Sequence, residues 1–216
     1  MRLATHRKRT FLALLSLALI ATAVPGYQAW RDRHLPADLR GVVRADPSPL
    51  GAFRLTDHRG RPLGLESLMR QWTLISFGFT HCPDICPANL MQLTLTLELL
   101  APDQQPAVWF ISVDPERDTP DVLADYVGYF HPTMVGATGD TAELQALEQP
   151  LAAFHRTETP PPRQGADHHN NRVAHSADVY LIDPHGRYRA RFAPPLRPAD
   201  LARQYTLIRD SDRNGP

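Results

Sequence analysis

The apolar positions of the chain fall into two regimes. Residues 11–24 form an apolar run broken only by Ser16 and Thr22, whereas from residue 51 onward short apolar segments of strand and helix period alternate. Residues 52–56 read as a short strand, 57–60 as a turn, 65–69 as a brief helix and 72–77 as a buried strand. Leu90, Leu93, Leu97 and Leu100 share one face at helical spacing, although Leu93, Leu95, Leu97 and Leu99 also alternate with polar residues at strand period. The length of the run 87–101, Pro87 as a first helical position and the stop at Pro102 decide for a helix. Beyond it, 108–113 reads as a second buried strand, 120–130 as a helix capped by Thr119, 134–137 as a short strand and 141–154 as a helix containing Pro150. Residues 155–172, with Pro160, Pro161 and Pro162 followed by His168 and His169, read as an exposed loop. A strand at 176–182, a turn at 183–186, a returning strand at 187–192 and a helix at 197–209 complete the pattern. Strands alternating with helices and ending in a hairpin predict an α/β fold, a sheet covered on both faces.

The pattern divides the chain into an N-terminal membrane anchor or signal segment (1–30), a charged, proline-containing tether without sustained period (31–49) and a folded domain (50–210). Arg2, Arg7, Lys8 and Arg9 precede the apolar run, which places the N-terminus on the cytoplasmic side. Ala21-Thr22-Ala23 matches a small-residue cleavage pattern, and extension through Trp30 brings the run to about 20 residues, enough to span a bilayer. Cleavage after Ala23 and retention as a single-pass anchor both remain open. Either way the domain lies outside the cytoplasm, where dithiols tend to be oxidised. The 23 basic and 23 acidic residues balance, so no nucleic-acid or polyanion partner is implied.

Candidate chemistry concentrates in Phe77-Gly78-Phe79-Thr80-His81-Cys82-Pro83-Asp84-Ile85-Cys86-Pro87, which holds the only two cysteines of the chain. If Cys86 opens a helix, two sulfurs four residues apart meet in one small volume and either chelate a soft metal ion or close a disulfide. The helix N-terminus is expected to make both thiols acidic, and a protonated His81 would add to this. A purely structural disulfide across so short a loop removes little denatured-state entropy. His155, His131, His185 and His58 read as surface or turn residues, and His168 and His169 as loop residues that either recruit metal transiently or, the loop lending no rigid support, are merely solvated.

Three blocks carry a resemblance: the cysteine segment, Ser112-Val113-Asp114-Pro115-Glu116-Arg117-Asp118-Thr119-Pro120, and His175-Ser176 ahead of Tyr180-Leu181-Ile182-Asp183-Pro184. In order and spacing they resemble the signature blocks of the SCO/SenC family, over about residues 50 to 209. The resemblance implies a thioredoxin-like fold, a central mixed sheet flanked by helices, on a domain tethered by one N-terminal helix in the inner membrane and facing the periplasm. It implies copper, as Cu(I) or Cu(II), held by Cys82, Cys86 and His175. Thiolates favour Cu(I), and an imidazole lets the same site hold Cu(II). The implied role is a copper chaperone in cytochrome c oxidase assembly, with the copper-bearing subunit of the oxidase or another copper-transfer protein as partner. One position departs from the pattern: many members carry an acidic residue where this chain has Ala174, so any carboxyl group behind the ligand histidine must come from elsewhere. Asp114, at the end of the second central strand, either orients the site or belongs to a loop, 114–120, that as a whole caps the following helix.

Two other functions compete. In a thiol-disulfide oxidoreductase, Cys82 attacks a disulfide of the copper-accepting protein and Cys86 resolves the mixed disulfide, making the cysteines the catalytic pair. Three residues between the cysteines, rather than two, depart from the usual redox motif. A copper buffer without a client is the third.

Overall fold

The computed structural model describes residues 35–158 and 172–213. The N-terminal apolar run, the pattern ending at Ala23, and His168 and His169 lie outside them. The chain divides after Gly41. The described part of the first unit holds a short 3-10 turn at Ala37–Leu39, and the elements below belong to the second. No described helix is long and apolar enough to cross a membrane.

The two apolar runs expected at the centre are there. Strand β4 (Thr73–Gly78) is buried along its whole length, and β5 (Ala107–Ser112) is buried except at its first residue. They pair in parallel from Thr73 opposite Ala107 to Gly78 opposite Ser112, and a strand buried on both faces needs this continuous apolar composition. Around them lie β1 (Val43–Pro49), β2 (Arg54–Asp57), β3 (Pro62–Gly64), β6 (Val135–Thr138), β9 (Val179–Ile182) and β10 (Arg187–Phe192). The eight strands run in the order β1-β10-β9-β4-β5-β6-β2-β3. The β4/β5 and β5/β6 pairs are parallel and the others antiparallel, so the sheet is mixed. A separate two-stranded ribbon joins β7 (His155–Glu158) to β8 (Arg172–His175).

Five helices, α1 (Leu65–Leu68), α2 (Ile85–Glu98), α3 (Pro120–Phe130), α4 (Thr141–Leu151) and α5 (Pro198–Arg213), and a short 3-10 turn at Pro102–Gln104 complete the described elements. Leu90, Leu93 and Leu97 of α2 are fully buried and Leu95 and Leu99 are exposed, as a helix requires and a strand would not allow. The threonines that blur this pattern are accommodated because Thr94 and Thr96 donate their hydroxyls to the carbonyls of Leu90 and Gln92 one turn back. On one side of the sheet Ile75, Phe77, Trp109, Ile111, Tyr180 and Ile182 pack with Leu144, Leu147 and Leu151 of α4 in one cluster. On the other, Phe110 meets Tyr126 of α3, and Thr94 of α2 also bonds the Phe130 carbonyl. The hairpin turns at Gly186, whose φ of 70° suits glycine, while the buried Asp183 carboxyl accepts from the amides of His185 and Arg187.

Five stretches differ most from the sequence reading. Residues 43–49, assigned to the tether, form β1 on the outer edge of β10 with a bulge between Val43 and Ser48; an edge strand tolerates Pro47 and Pro49 and shows no buried alternation. The loop expected at 155–172 begins and ends in the paired strands β7 and β8. The strand expected to start at 176 starts at Val179, because Ser176 turns the chain: its amide bonds the Phe154 carbonyl and its hydroxyl accepts from the Phe154 amide. Helix α2 begins at Ile85, two residues before Pro87, and α4 ends at Leu151, where Ala152 adopts a left-handed conformation.

Candidate metal centre

Strand β4 hands over to α2 through residues 79–84, so Cys82 sits in the loop and Cys86 in the first helical turn. The Cys82 amide donates to the Phe79 carbonyl, which curls the loop back on itself. Close approach of Cys86 to the strand depends on Gly78, where a side-chain methyl would lie 2.8 Å from Cys86 Sγ and 2.6 Å from Phe110 Cε2. His175 arrives from the end of β8, and the Asn89 amide of α2 donates to the Ala177 carbonyl, tying the chain after His175 to the cysteine helix.

The donor atoms of Cys82, Cys86 and His175 lie within 4.8 Å of one another, the two cysteines buried and His175 half-buried. His175 Nδ1 lies 2.9 Å from the Ser176 carbonyl, which fixes the proton there and leaves Nε2 as an open donor 3.3 Å from Cys86 Sγ. The Phe79 ring stands edge-on to the imidazole at 5.8 Å and covers it. Two sulfurs and one bare imidazole nitrogen at this spacing fit a soft metal ion about 2.0–2.3 Å from each. No other cluster of three such ligands occurs among the described residues.

The cysteines do not titrate alike. A hydrogen bond from the Cys86 thiol brings Cys82 down to about 4 against the opposing effect of burial, with His175 and the amides of Cys86 and Asp84 helping. The same bond, followed by burial, pushes Cys86 up. The expectation that the helix terminus acidifies both thiols is corrected for Cys86: the pair shares one proton, and Cys86 keeps it. The two cysteines are not joined in a disulfide. The Tyr126 hydroxyl is buried without a hydrogen-bond partner, and burial, together with the negative charge of the cysteine pair and of Asp118, pushes it up.

In the acidic loop Thr119 caps α3, as expected, and Asp114 does not reach the cysteines. The Asp114 carboxyl pairs with Arg117 and its carbonyl accepts from the amides of Arg117 and Asp118, so it shapes its own turn. Asp118 reaches the cysteine loop. Fully buried, it accepts from the Thr80 amide at 2.9 Å, from the Thr80 hydroxyl at 2.6 Å and from the Ser112 hydroxyl. Its placement is one residue ahead of the Thr119 cap and left no mark in the apolar pattern. His81 is exposed, its Nδ1 against the Thr80 hydroxyl and 3.9 Å from Asp118, and it stays out of the donor cluster.

The sequence profile described as SCO1/SenC matches residues 44–208. Among curated proteins the chain is 39% identical over 140 residues to the mitochondrial protein SCO2 of Saccharomyces cerevisiae, covering 64% of this chain and 45% of that one. It is 35% identical over 177 residues to the mitochondrial SCO1 homolog of Homo sapiens, covering 80% of this chain and 54% of that one. The chain thus spans about half the length of these two relatives. Among solved structures, copper-bound ScoI of Bradyrhizobium japonicum superposes with a TM-score of 0.64 at 33% identity, over 74% of this chain and 99% of that one. The mixed sheet with helices on both faces is the thioredoxin-like fold of these proteins.

Proposed function

The chain belongs to the SCO1/SenC family, and on that footing we propose that it is a copper chaperone of cytochrome c oxidase assembly. Cys82, Cys86 and His175 take up one copper ion, and the domain delivers it to the binuclear copper site of the oxidase. The observation that carries the reading is the orientation of His175, with Nδ1 committed to the Ser176 carbonyl and Nε2 facing Cys86 Sγ. A dithiol reductase needs no such ligand; a copper site holding both oxidation states does. The solved relative from Bradyrhizobium japonicum holds copper. The apolar run at 11–24 holds the domain on the outer face of a membrane, in the periplasm of a bacterial cell. Oxidation of Cys82 and Cys86 to a disulfide removes both sulfur ligands, so the redox state of the pair gates loading.

A thiol-disulfide oxidoreductase remains the second reading because Cys82 is a thiolate at neutral pH, the form that attacks a disulfide. The two separate on one mixing experiment. The full chain in detergent, loaded with one copper, is mixed with an oxidase copper-site domain whose cysteines are reduced, and again, without copper, with that domain in its disulfide form. The chaperone reading expects copper to move to the reduced acceptor and His175→Ala, which no longer holds Cu(II), to lose the transfer of a Cu(II) load. Acceptor disulfide reduction at the same rate in parent and His175→Ala, without copper transfer, would replace it by the reductase.

A further inference from the structure

His155 is neither a surface nor a turn residue. It opens β7, and its Cα partner across the ribbon is His175 of β8. Directly opposed residues of an antiparallel pair project to the same side, with Cβ atoms about 5 Å apart, so both imidazoles leave the ribbon on one side, His175 into the donor cluster. Behind His155 lies Glu148 of α4. His155 Nδ1 and Glu148 Oε1 are 2.7 Å apart, and their side chains are only 10% and 5% exposed. A buried carboxyl group is costly unless paired, and burial holds Glu148 above the usual carboxyl range although the His155 bond and the nearby His175 act against it.

The consequence for His155 is an orientation. With Nδ1 committed to Glu148, Nε2 is the ring nitrogen left for another partner. His175 is arranged in the same way, Nδ1 to the Ser176 carbonyl and Nε2 open. Metal-binding histidines characteristically have one ring nitrogen bonded to a carboxylate or carbonyl, which fixes the ring and raises the basicity of the other. Two neighbouring imidazoles prepared alike make a nitrogen pair, and nitrogen donors suit Cu(II), whereas the sulfurs within favour Cu(I). His155 is not among the three residues whose donor atoms lie within 4.8 Å of one another, so it belongs to an outer position rather than to the inner triad.

Building on the copper reading above, we propose that Glu148, His155 and His175 form an outer station for Cu(II), at which two imidazoles hold the ion on its way to or from Cys82 and Cys86. His175 is common to both positions. Inward movement exchanges the His155 nitrogen for sulfur, with no change in the oxidation state of the ion and the Cys86 proton released to water. Ala174 leaves no carboxyl group next to His175 in sequence; Glu148 supplies one through His155, from the neighbouring helix.

The test uses the full chain in detergent with Cys82→Ser and Cys86→Ser, titrated with Cu(II) and read by electron paramagnetic resonance. The station predicts binding with superhyperfine splitting from two imidazoles. Adding His155→Phe should lose one nitrogen and weaken binding tenfold or more, and adding Glu148→Gln, which keeps the shape of the side chain, should weaken it about 10- to 100-fold. In the thiol-intact chain, His155→Phe should slow the growth of the sulfur-to-copper charge-transfer band about tenfold. Unchanged splitting and affinity in both added variants, with copper held by other histidines, overturns the station, and so does a purely structural pair that lowers the denaturation midpoint and leaves the copper signals alone. If the thiol-intact parent develops no charge-transfer band at all, the copper reading fails instead; a normal band with an unaltered rate in His155→Phe removes only the outer station.

Discussion

Gly78→Ala should destabilise the domain by about 3 kcal/mol and lower copper affinity in the same variant. The methyl group would lie 2.6 and 3.0 Å from two carbons of the Phe110 ring and 2.8 Å from Cys86 Sγ, well inside contact distance. Neither neighbour has room to give. Phe110 is fully buried in the central strand β5 and packs on Tyr126, and Cys86 is fixed by the first turn of α2. Overpacking a rigid core costs about 1–3 kcal/mol, and here the upper end applies because the backbone of β4 is held on both sides by β5 and β9. Relief by moving Cys86 displaces a sulfur ligand. Gly128→Ala is the internal control: a methyl there meets nothing within 4 Å on an exposed position of α3, so helix propensity should make it more stable by up to about 1 kcal/mol. Chemical denaturation of both variants decides, and a Gly78→Ala protein with parental midpoint and copper affinity would contradict the close approach of thiol, ring and strand.

His175→Ala should leave the domain folded and separate the two oxidation states of copper. The side chain is half-buried and its internal bond is to one carbonyl, so its loss costs about 1 kcal/mol of stability. Two sulfurs alone still bind Cu(I), and affinity for it should fall about tenfold. Cu(II) depends on the imidazole, and its affinity should fall about a thousandfold, or about 4 kcal/mol. Competition titrations against a Cu(I) chelator and a Cu(II) chelator measure the two changes. Equal losses for both ions would mean that His175 shapes the pocket without binding metal.

What was legible in the sequence is what repeats locally. The buried face of α2 follows from the spacing of Leu90, Leu93 and Leu97, the central strands from their unbroken apolar runs, and the hairpin from Asp183 to Gly186. The three blocks were legible as motifs, and the structure brings Cys82, Cys86 and His175 together. What was not legible depends on partners distant in sequence. Strand β1 exists because Val43 meets Ala190, and nothing in its own charged, proline-containing composition says so. His155 looked like the start of a loop because its pairing with His175 closes across residues 159–171. Asp118 looked like one more polar residue in a turn, since its three donors come from two other segments. The raised Cys86 and lowered Cys82 depend on which thiol donates to the other, a geometry that spacing alone does not fix.

The central claim is that these two sulfurs and one imidazole hold a single copper ion. X-ray absorption on the reduced full chain, titrated with Cu(I) and then oxidised to Cu(II), counts the ligands directly. The account predicts one copper per chain with two sulfur neighbours in both states and a nitrogen neighbour that Cu(II) retains and His175→Ala removes. Copper bound with no sulfur neighbours, or bound equally well by the disulfide form, would contradict it.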